Sequence, residues 1–285
     1  MNKNYKEVII TKIFERLYKY ILILLAGLLL SSCSNDSSTN SNEPINTGYQ
    51  KIYTTESGSR KIEAWSINGN TFYYGYNSIG FKVYDGGVEK KTGFVEFYPK
   101  MYHEPGSPMH SSPVSDKFNY NSDKGFFTGY ASFTMLSDSA SFWYGFHDYN
   151  NEFNIDSVLF NVAQSEINQI RSWDNIYTGY TYVLTLINPN YPKVGLNAFE
   201  CLFHKTTDDK HYTEITDAEM FIKPWMPSHG HGSSSNEDPV YTTGGIYAGK
   251  VNLTMAGIWE VYDSIKVQGD FVTPKPSPKF IFDLR

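Results

Sequence analysis

The sequence has little cysteine, little charge and no long apolar run. Two cysteines among 285 residues are too few for a zinc ribbon or a disulfide framework. The net charge of −6 excludes a nucleic-acid-binding surface, because phosphates require a basic partner. No Gly-X-Y period and no Ala, Glu or Leu heptads are present, which excludes collagen and coiled coil.

Aromatic residues are abundant instead. They make up 16% of the chain, with 23 Tyr and 19 Phe, and disordered chains lack such residues. The segments 70–76, 180–186 and 249–255 are rich in β-branched and aromatic residues, as strands are. Turn signals separate them at short intervals. The pattern predicts an all-β protein made of immunoglobulin-like β-sandwiches.

The N-terminal segment reads as a targeting signal. Five Lys and Arg residues precede an apolar run at 21–30, which is too short to span a bilayer. The run ends in Leu30-Ser-Ser-Cys33, which resembles a bacterial lipobox. The resemblance implies a signal peptide at 1–32, lipidation of Cys33 and a lipidated polar tether at 33–47. We therefore expect a membrane-anchored lipoprotein on the periplasmic face or surface of a bacterium. The alternative is an ordinary signal peptide with a chance cysteine.

The sequence also repeats itself. Residues 125–135 and 245–255 share Gly, Gly, Thr and Met at a constant offset of 120. Three further segment pairs follow the same order in both halves: 81–84 with 199–202, 95–101 with 220–226, and 142–143 with 258–259. This order predicts two tandem copies of one domain, at 48–155 and 172–285. The connector between them, 156–171, is expected to hold either one helical turn or the last strand of the first copy.

Two loops concentrate the candidate ligands. Four of the seven His and three of the seven Met lie in the loops that follow the two Pro-x-Met motifs: Met101, His103, Met109, His110, Met226, His229 and His231. Thioether sulfur and imidazole nitrogen suit Cu(I), and imidazole also suits Cu(II). The pattern predicts copper binding, with Cu(I) favoured. The alternatives are a solvated Gly-His-Gly turn, a contact with a partner, and a purely structural Met226.

We expect the two loops to differ in quality as metal sites. Met226, His229 and His231 form the better predicted site. Met109 and His110, with Met101 and His103, form the weaker one. The two loops could also share one ion if the domains face each other.

The second loop and the strands around it carry a family resemblance. The string Pro224-Trp-Met-Pro-Ser-His-Gly-His-Gly232, followed by 245–261, resembles the YtkA-like domain, which is related to FixH. Residues 218–263 carry the resemblance closely, and 95–149 resemble a diverged copy. The resemblance implies an extracytoplasmic β-sandwich with a role near copper handling or cytochrome oxidase assembly. A metal-receiving or oxidase-assembly protein would then be its partner.

Other function classes remain as alternatives. The chain lacks enzyme signatures such as Gly-x-Ser-x-Gly, a Walker loop or His-Glu-x-x-His, so no catalytic activity is expected. A surface glycan-binding lipoprotein would use exposed rings such as Trp65, Trp173 and Tyr191. A ligand-free assembly lipoprotein is a third class. The enrichment in Met and His favours metal over sugar. Cys201 is predicted to be a buried strand residue, and Met135 and Met255 are predicted to be core residues.

Overall fold

A computed structural model describes residues 48–103 and 109–284, which belong to one compact unit. The predicted signal peptide at 1–32 and the tether with Cys33 lie outside the described residues, as do residues 104–108 of the first Met/His loop. All regular structure in the described ranges is β, so the predicted all-β class is confirmed. Within those ranges, no helix has the length and apolar character needed to cross a membrane.

The first half of the described chain contains eleven strands. They are β1 (Gln50–Ser57), β2 (Arg60–Ser66), β3 (Phe72–Tyr73), β4 (Gly75–Asp85), β5 (Val88–Lys90), β6 (Phe94–His103), β7 (Phe118–Asn121), β8 (Phe126–Phe133), β9 (Ser141–Tyr149), β10 (Phe153–Phe160) and β11 (Val162–Ala163). Nine of them form one sheet in the order β1-β2-β4-β8-β7-β6-β9-β10, with β5 on β4.

This nine-stranded sheet folds over to form a sandwich. The short strand β7 pairs with β8 on one side and with β6 on the other. Strands β4 and β6 are not paired, yet the rings of Phe81 and Phe97 lie 5.4 Å apart. The ring centroids of Phe133 on β8 and Trp143 on β9 are likewise 5.1 Å apart. The inner face is therefore a packed aromatic core.

The second half contains the other eleven strands. They are β12 (Ile170–Asn175), β13 (Tyr180–Asn188), β14 (Gly195–Thr206), β15 (Thr213–Glu214), β16 (Ala218–Met226), β17 (His231–Gly232), β18 (Glu237–Thr243), β19 (Ile246–Leu253), β20 (Gly257–Val267), β21 (Asp270–Phe271) and β22 (Lys279–Leu284). One sheet has the order β12-β13-β14-β19-β18 with β15 on β14, and the other has β17-β16-β20-β21 with β22 on β20. Alternating inward residues of both sheets form a second core, as in a β-sandwich.

The same strand pairing recurs in both halves. In the first half Gly75 lies opposite Phe133, and 120 residues later Gly195 lies opposite Leu253. The offset of 120 therefore holds for β4 and β14 as well as for β8 and β19. The segment pair aligned from the sequence as 81–84 with 199–202 was two residues out of register. Apolar alternation repeats every two residues, so such a slip leaves the pattern unchanged.

A buried asparagine marks the equivalence most clearly. Asn77 accepts a hydrogen bond from the backbone N–H of Tyr73 and donates to the carbonyl oxygens of Tyr73 and Gly75. Asn197 makes the same three bonds with residues 193 and 195. In each half the amide closes the turn that leads into the long strand.

The connector contains strand rather than helix. β10 continues through Phe160, across the expected start of the connector at 156, and no helical turn occurs at 161–171. The short strand β11 then pairs in parallel with β3. The apolar residues at 162–170 recur with a spacing typical of a helix, but they do not form one. Of the two alternatives for the connector, a strand is present, and it is β10 at 153–160.

The two halves pack against each other through β4 and β8 on one side and β13 and β14 on the other. Tyr130, Ile187 and Leu202 form a small apolar cluster across this contact. The hydroxyls of Ser132 and Thr185 share a buried hydrogen bond of 2.7 Å. Buried contacts of this kind hold the halves in a fixed relation and create a cleft at their border.

Candidate metal site at the ends of two equivalent strands

The second Met/His loop is a tight turn between β16 and β17. At the end of β16 the carbonyl of Met226 accepts hydrogen bonds from the N–H groups of His229 and Gly230, at 3.2 and 2.9 Å. Gly230 has φ +65°, a conformation that costs glycine nothing. The chain then returns as β17, with His231 directly opposite Met226.

This pairing places Met226 and His231 on the same face of the sheet, because opposed residues of antiparallel strands share a face. The His231 ring lies 5.8 Å from the buried ring of Trp259, edge to face. The exposed His229 ring lies 5.9 Å from the His231 ring. The loop thus gathers two imidazoles and a thioether residue at one end of the sandwich.

The tautomer of His231 is set by the backbone. Its Nδ1 lies 2.8 Å from the carbonyl oxygen of Gly232. A carbonyl only accepts, so Nδ1 carries the proton and Nε2 keeps its lone pair. A backbone carbonyl on the second ring nitrogen is the usual way in which a ligating histidine is oriented.

Met226 is a core residue as well as a neighbour of His231. Its side chain is 1% exposed and belongs to the second core. Gly257 has φ +126°, and a Cβ there would collide with the Met226 methyl group. The Met226 methyl group therefore lies close against the backbone at Gly257.

The first loop has a closely similar arrangement. Met101 and His110 exchange two backbone hydrogen bonds of 2.8 and 3.1 Å, as an antiparallel pair does. His103 lies two residues after Met101 on β6, so the two side chains share a face. The Nδ1 of His103 and the hydroxyl of Ser141 share a hydrogen bond of 2.6 Å. The His103 and His110 rings are 5.6 Å apart.

The structure thus brings together three of the four residues predicted in the first loop. Met101 is buried at 1% exposure, as Met226 is. Met109 is half-buried and directly precedes His110, without belonging to the pair of rings. A tryptophan again lies behind the pair, because Trp143 is opposite Met101 on β9.

The separation of the rings fits a shared ion. Two imidazoles on one tetrahedral ion each place a nitrogen about 2 Å from it, which puts their ring centroids about 5 to 6.5 Å apart. Both observed separations fall in that interval. Within 48–103 and 109–284, no group of three or more His, Cys, Asp or Glu side chains is arranged to hold a metal. The candidate ligands that each loop brings together are two histidines and one methionine.

The remaining histidines of interest lie in the interior. His147 and His204 are both 2% exposed, and burial lowers the pKa of each to about 3. His147 packs among rings and bonds to the Tyr53 hydroxyl at 2.8 Å. Both imidazoles are therefore neutral structural groups at neutral pH.

The sulfur-containing residues outside the loops differ in burial. Cys201 is fully buried in β14, as expected, with its sulfur 3.8 Å from the sulfur of Met220. Met135 is partly buried against the first core. Met255 is 37% exposed, so the expectation of a core residue was wrong there. Its carbonyl accepts the N–H of Trp259 at 2.9 Å.

The three rings proposed as sugar platforms differ in exposure. Trp65 and Trp173 are half-buried, and the Trp173 ring lies 6.0 Å from that of Phe203, nearly parallel to it. Tyr191 is 84% exposed. Of the three, Tyr191 alone presents most of its ring to solvent.

The family comparison matches the second half of the chain. The model of the YtkA-like family matches residues 175–262, which include β16, the turn at 226–231 and Trp259. This segment is similar to the YtkA-like domain. The resemblance predicted from residues 218–263 is thereby confirmed. The match does not extend to residues 48–155, and the second copy there stays a prediction.

Other comparisons add little to the YtkA-like assignment. No curated protein matches the chain. Among solved structures, the Escherichia coli adhesin FdeC matches with 11% identity and a TM-score of 0.25, over 81% of this chain and 65% of that one. A conserved domain protein from Bacillus anthracis matches with 10% identity and a TM-score of 0.29, over 85% and 94%. Similarities at these TM-scores support no inference about function.

Proposed function

We propose that the protein binds copper, chiefly as Cu(I), at its two Met/His loops and passes the ion on to another protein. The observation that carries this proposal is the recurrence of one arrangement in both halves. Each arrangement has two imidazole rings less than 6 Å apart, next to a methionine at the end of an equivalent strand. Imidazole and thioether donors together favour Cu(I) over harder ions.

Position and access support a carrier rather than a structural metal site. The His229 and His231 rings lie on a turn at the end of the sandwich, and His229 is exposed. A structural site is closed by four protein ligands, whereas each loop here offers three. An ion held in this way can be reached by a receiving protein.

The first half is, in this proposal, a diverged YtkA-like domain with its own copper site. Three features shared with the second half support it. The first is the asparagine that closes the turn before β4 and β14. The second is the backbone pairing of a methionine with a histidine. The third is a tryptophan N–H that donates to a methionine carbonyl, from Trp143 to Met135 and from Trp259 to Met255.

The proposed location follows from the N-terminal sequence. Lipidation of Cys33 anchors the chain to a membrane, with the two domains on the extracytoplasmic side. The partners are then a metal-receiving or oxidase-assembly protein in the same compartment. The protein acts by binding and delivery, without a catalytic step.

A Cu(I) competition titration tests the proposal. The tag-free chain is titrated against a chromophoric Cu(I) chelator, with H229A/H231A and H103A/H110A as site variants. H211A is the matched control, because His211 is exposed and lies in neither loop. Cys201→Ser removes the one described thiol. We expect each site variant to lose one equivalent of tight binding and both controls to keep two. Equal binding by all variants, or only weak surface binding, would refute the proposal.

A further inference from the structure

The border between the two halves contains a second candidate site. It is a cleft of about 570 Å³ whose walls come from both halves: residues 114–117 and 119 with Tyr130 from the first, and His204, Tyr212, Glu214, Tyr241 and the hairpin at 243–246 from the second. Its size is within the range of small-ligand pockets. It shares no residue with the Met/His loops, although Val114 follows His110 by four residues.

The cleft lining contains two carboxyl groups, those of Glu214 and Asp116, and one ammonium group, that of Lys117. Burial raises the pKa of Glu214, and the charge of Asp116 raises it further, so the two carboxyl groups are close enough to interact. No ion pair joins either of them to a Lys or Arg among the residues described. The ammonium of Lys117 lies instead 4.0 Å from the centroid of the Phe94 ring.

Tyr130 and His204 form a hydrogen-bonded pair in the cleft wall. The Tyr130 hydroxyl donates to the carbonyl of Gly244 at 2.8 Å. It must therefore accept from His204, whose Nε2 lies 3.1 Å away. The proton is then on Nε2, and the buried Nδ1 is an acceptor with no hydrogen-bond partner. The Tyr130 hydroxyl is thus bonded on both sides, to Gly244 and to His204, which fixes the position of its ring in the cleft wall.

The aromatic residues favour an organic cation over a bare metal ion. Tyr130, Tyr212 and Tyr241 all line the cleft, and rings of this kind attract an ammonium group through their faces. An ammonium also brings three donors to a site where the carboxyl groups of Glu214 and Asp116 can accept. A divalent ion would make no use of the three rings.

From this geometry we propose that the cleft between the two halves binds an alkylammonium group, with Glu214 and Asp116 neutralising its charge and Tyr130, Tyr212 and Tyr241 enclosing it. The group has two chemical sources, a free diamine or the side chain of a lysine in a partner protein. The proposal does not depend on copper binding.

Isothermal titration at low ionic strength tests the proposal with the full chain. The probes are cadaverine, the capped peptide acetyl-Gly-Lys-Gly-amide, and Ca²⁺ alone. The site variant is E214Q/D116N, in which both replacements keep the side-chain shape. The control variant is E56Q/D270N, which changes the net charge by the same amount at two exposed residues away from the cleft. Near-ultraviolet circular dichroism establishes that both variants are folded.

We expect at least one of the two ammonium probes to bind and its affinity to fall at least tenfold in E214Q/D116N, with less than a twofold change in E56Q/D270N. Binding of the peptide alone assigns the cleft to a protein partner, and binding of cadaverine alone assigns it to a free amine. Tyr241→Ala is expected to weaken binding about threefold to tenfold. Failure of both ammonium probes, binding of Ca²⁺ alone, or equal losses in the two double variants would overturn the proposal.

Discussion

Met226 and His231 lie directly opposite each other across β16 and β17, and Met101 and His110 stand in the same relation at the end of β6. Cross-strand partners share a face of the sheet. In both halves this relation places an imidazole next to a buried methionine at the rim of the core. A second imidazole lies within 6 Å of the first in each case. The copper proposal depends on this shared geometry.

The turn asparagines provide a test of the equivalence of the two halves. Asn77→Ala and Asn197→Ala each leave three backbone groups without their side-chain partner. We expect each to lower the free energy of unfolding by about 2–4 kcal/mol, as measured by urea denaturation. Asn154→Ala is the control, because that side chain is exposed, and a change within about 0.5 kcal/mol is expected. A large loss at one asparagine and none at the other would contradict the equivalence.

The buried His147 predicts a particular dependence on pH. Its pKa is lowered to about 3 by burial, from an ordinary 6.5. Below pH 6.5 the unfolded chain therefore takes up a proton that the folded chain excludes. The contribution of this histidine to stability is complete above that pH and is lost, by up to about 1.4 kcal/mol per pH unit, as the pH falls towards 3.

Replacement of His147 isolates this contribution from those of other groups. Between pH 6.5 and 4.5 the unfolding free energy of the unmodified chain should fall more steeply than that of His147→Phe. The expected difference between the two slopes is up to about 1.4 kcal/mol per pH unit. Urea unfolding at several pH values measures it. Parallel declines in His147→Phe and the unmodified chain would mean that His147 already carries a proton in the folded state.

Trp259 should report on copper at the second site. Its ring lies 5.8 Å from that of His231, and paramagnetic Cu(II) quenches nearby indole emission. We expect Cu(II) to reduce the tryptophan fluorescence of the unmodified chain and to do so less in Trp259→Phe. Trp173→Phe serves as the comparison, since Trp173 bonds to Val272 at 2.7 Å rather than to any loop residue. Identical fractional quenching in the two variants would place the copper elsewhere.

Gly257 leaves room for the methyl group of Met226. A side chain at Gly257 would collide with the Met226 methyl group, and its φ of +126° disfavours other residues. Gly257→Ala should lower the free energy of unfolding by about 1–3 kcal/mol and weaken copper binding at the second site. Gly269 also has a positive φ, +91°, but an added Cβ would meet no atom there. Gly269→Ala therefore measures the effect of backbone strain alone. Equal effects in both variants would show that the contact with Met226 contributes nothing.

The fold class and the family resemblance could be predicted because each depends on a short stretch of sequence. Aromatic and β-branched runs gave the all-β class, and the Met-Pro-Ser-His-Gly-His string gave the family of the second domain. The strings around Met101 and Met226 gave residues that the structure brings together. The offset of 120 residues between 125–135 and 245–255 also relates the strand pairings of β4 with β8 and of β14 with β19.

Other features could not be read from the sequence. The alignment of Phe81 with Phe199 was out by two residues, because a shift of two preserves the alternation of a strand. Met255 was expected in the core, and its position after the end of β19 leaves it exposed. The cleft could not be predicted from the sequence. Asp116 is far from His204 and Glu214 in the chain, and only the packing of the two halves brings them together.

The central claim is that Met226, His229 and His231 together hold a Cu(I) ion. X-ray absorption at the copper edge tests it most directly, on H103A/H110A loaded with one equivalent of Cu(I) so that one site is observed. The account predicts two nitrogen neighbours and one sulfur neighbour, with the sulfur contribution lost in a further Met226→Leu substitution and the fold retained. A spectrum without sulfur, or one that Met226→Leu leaves unchanged, would contradict the proposed ligand set.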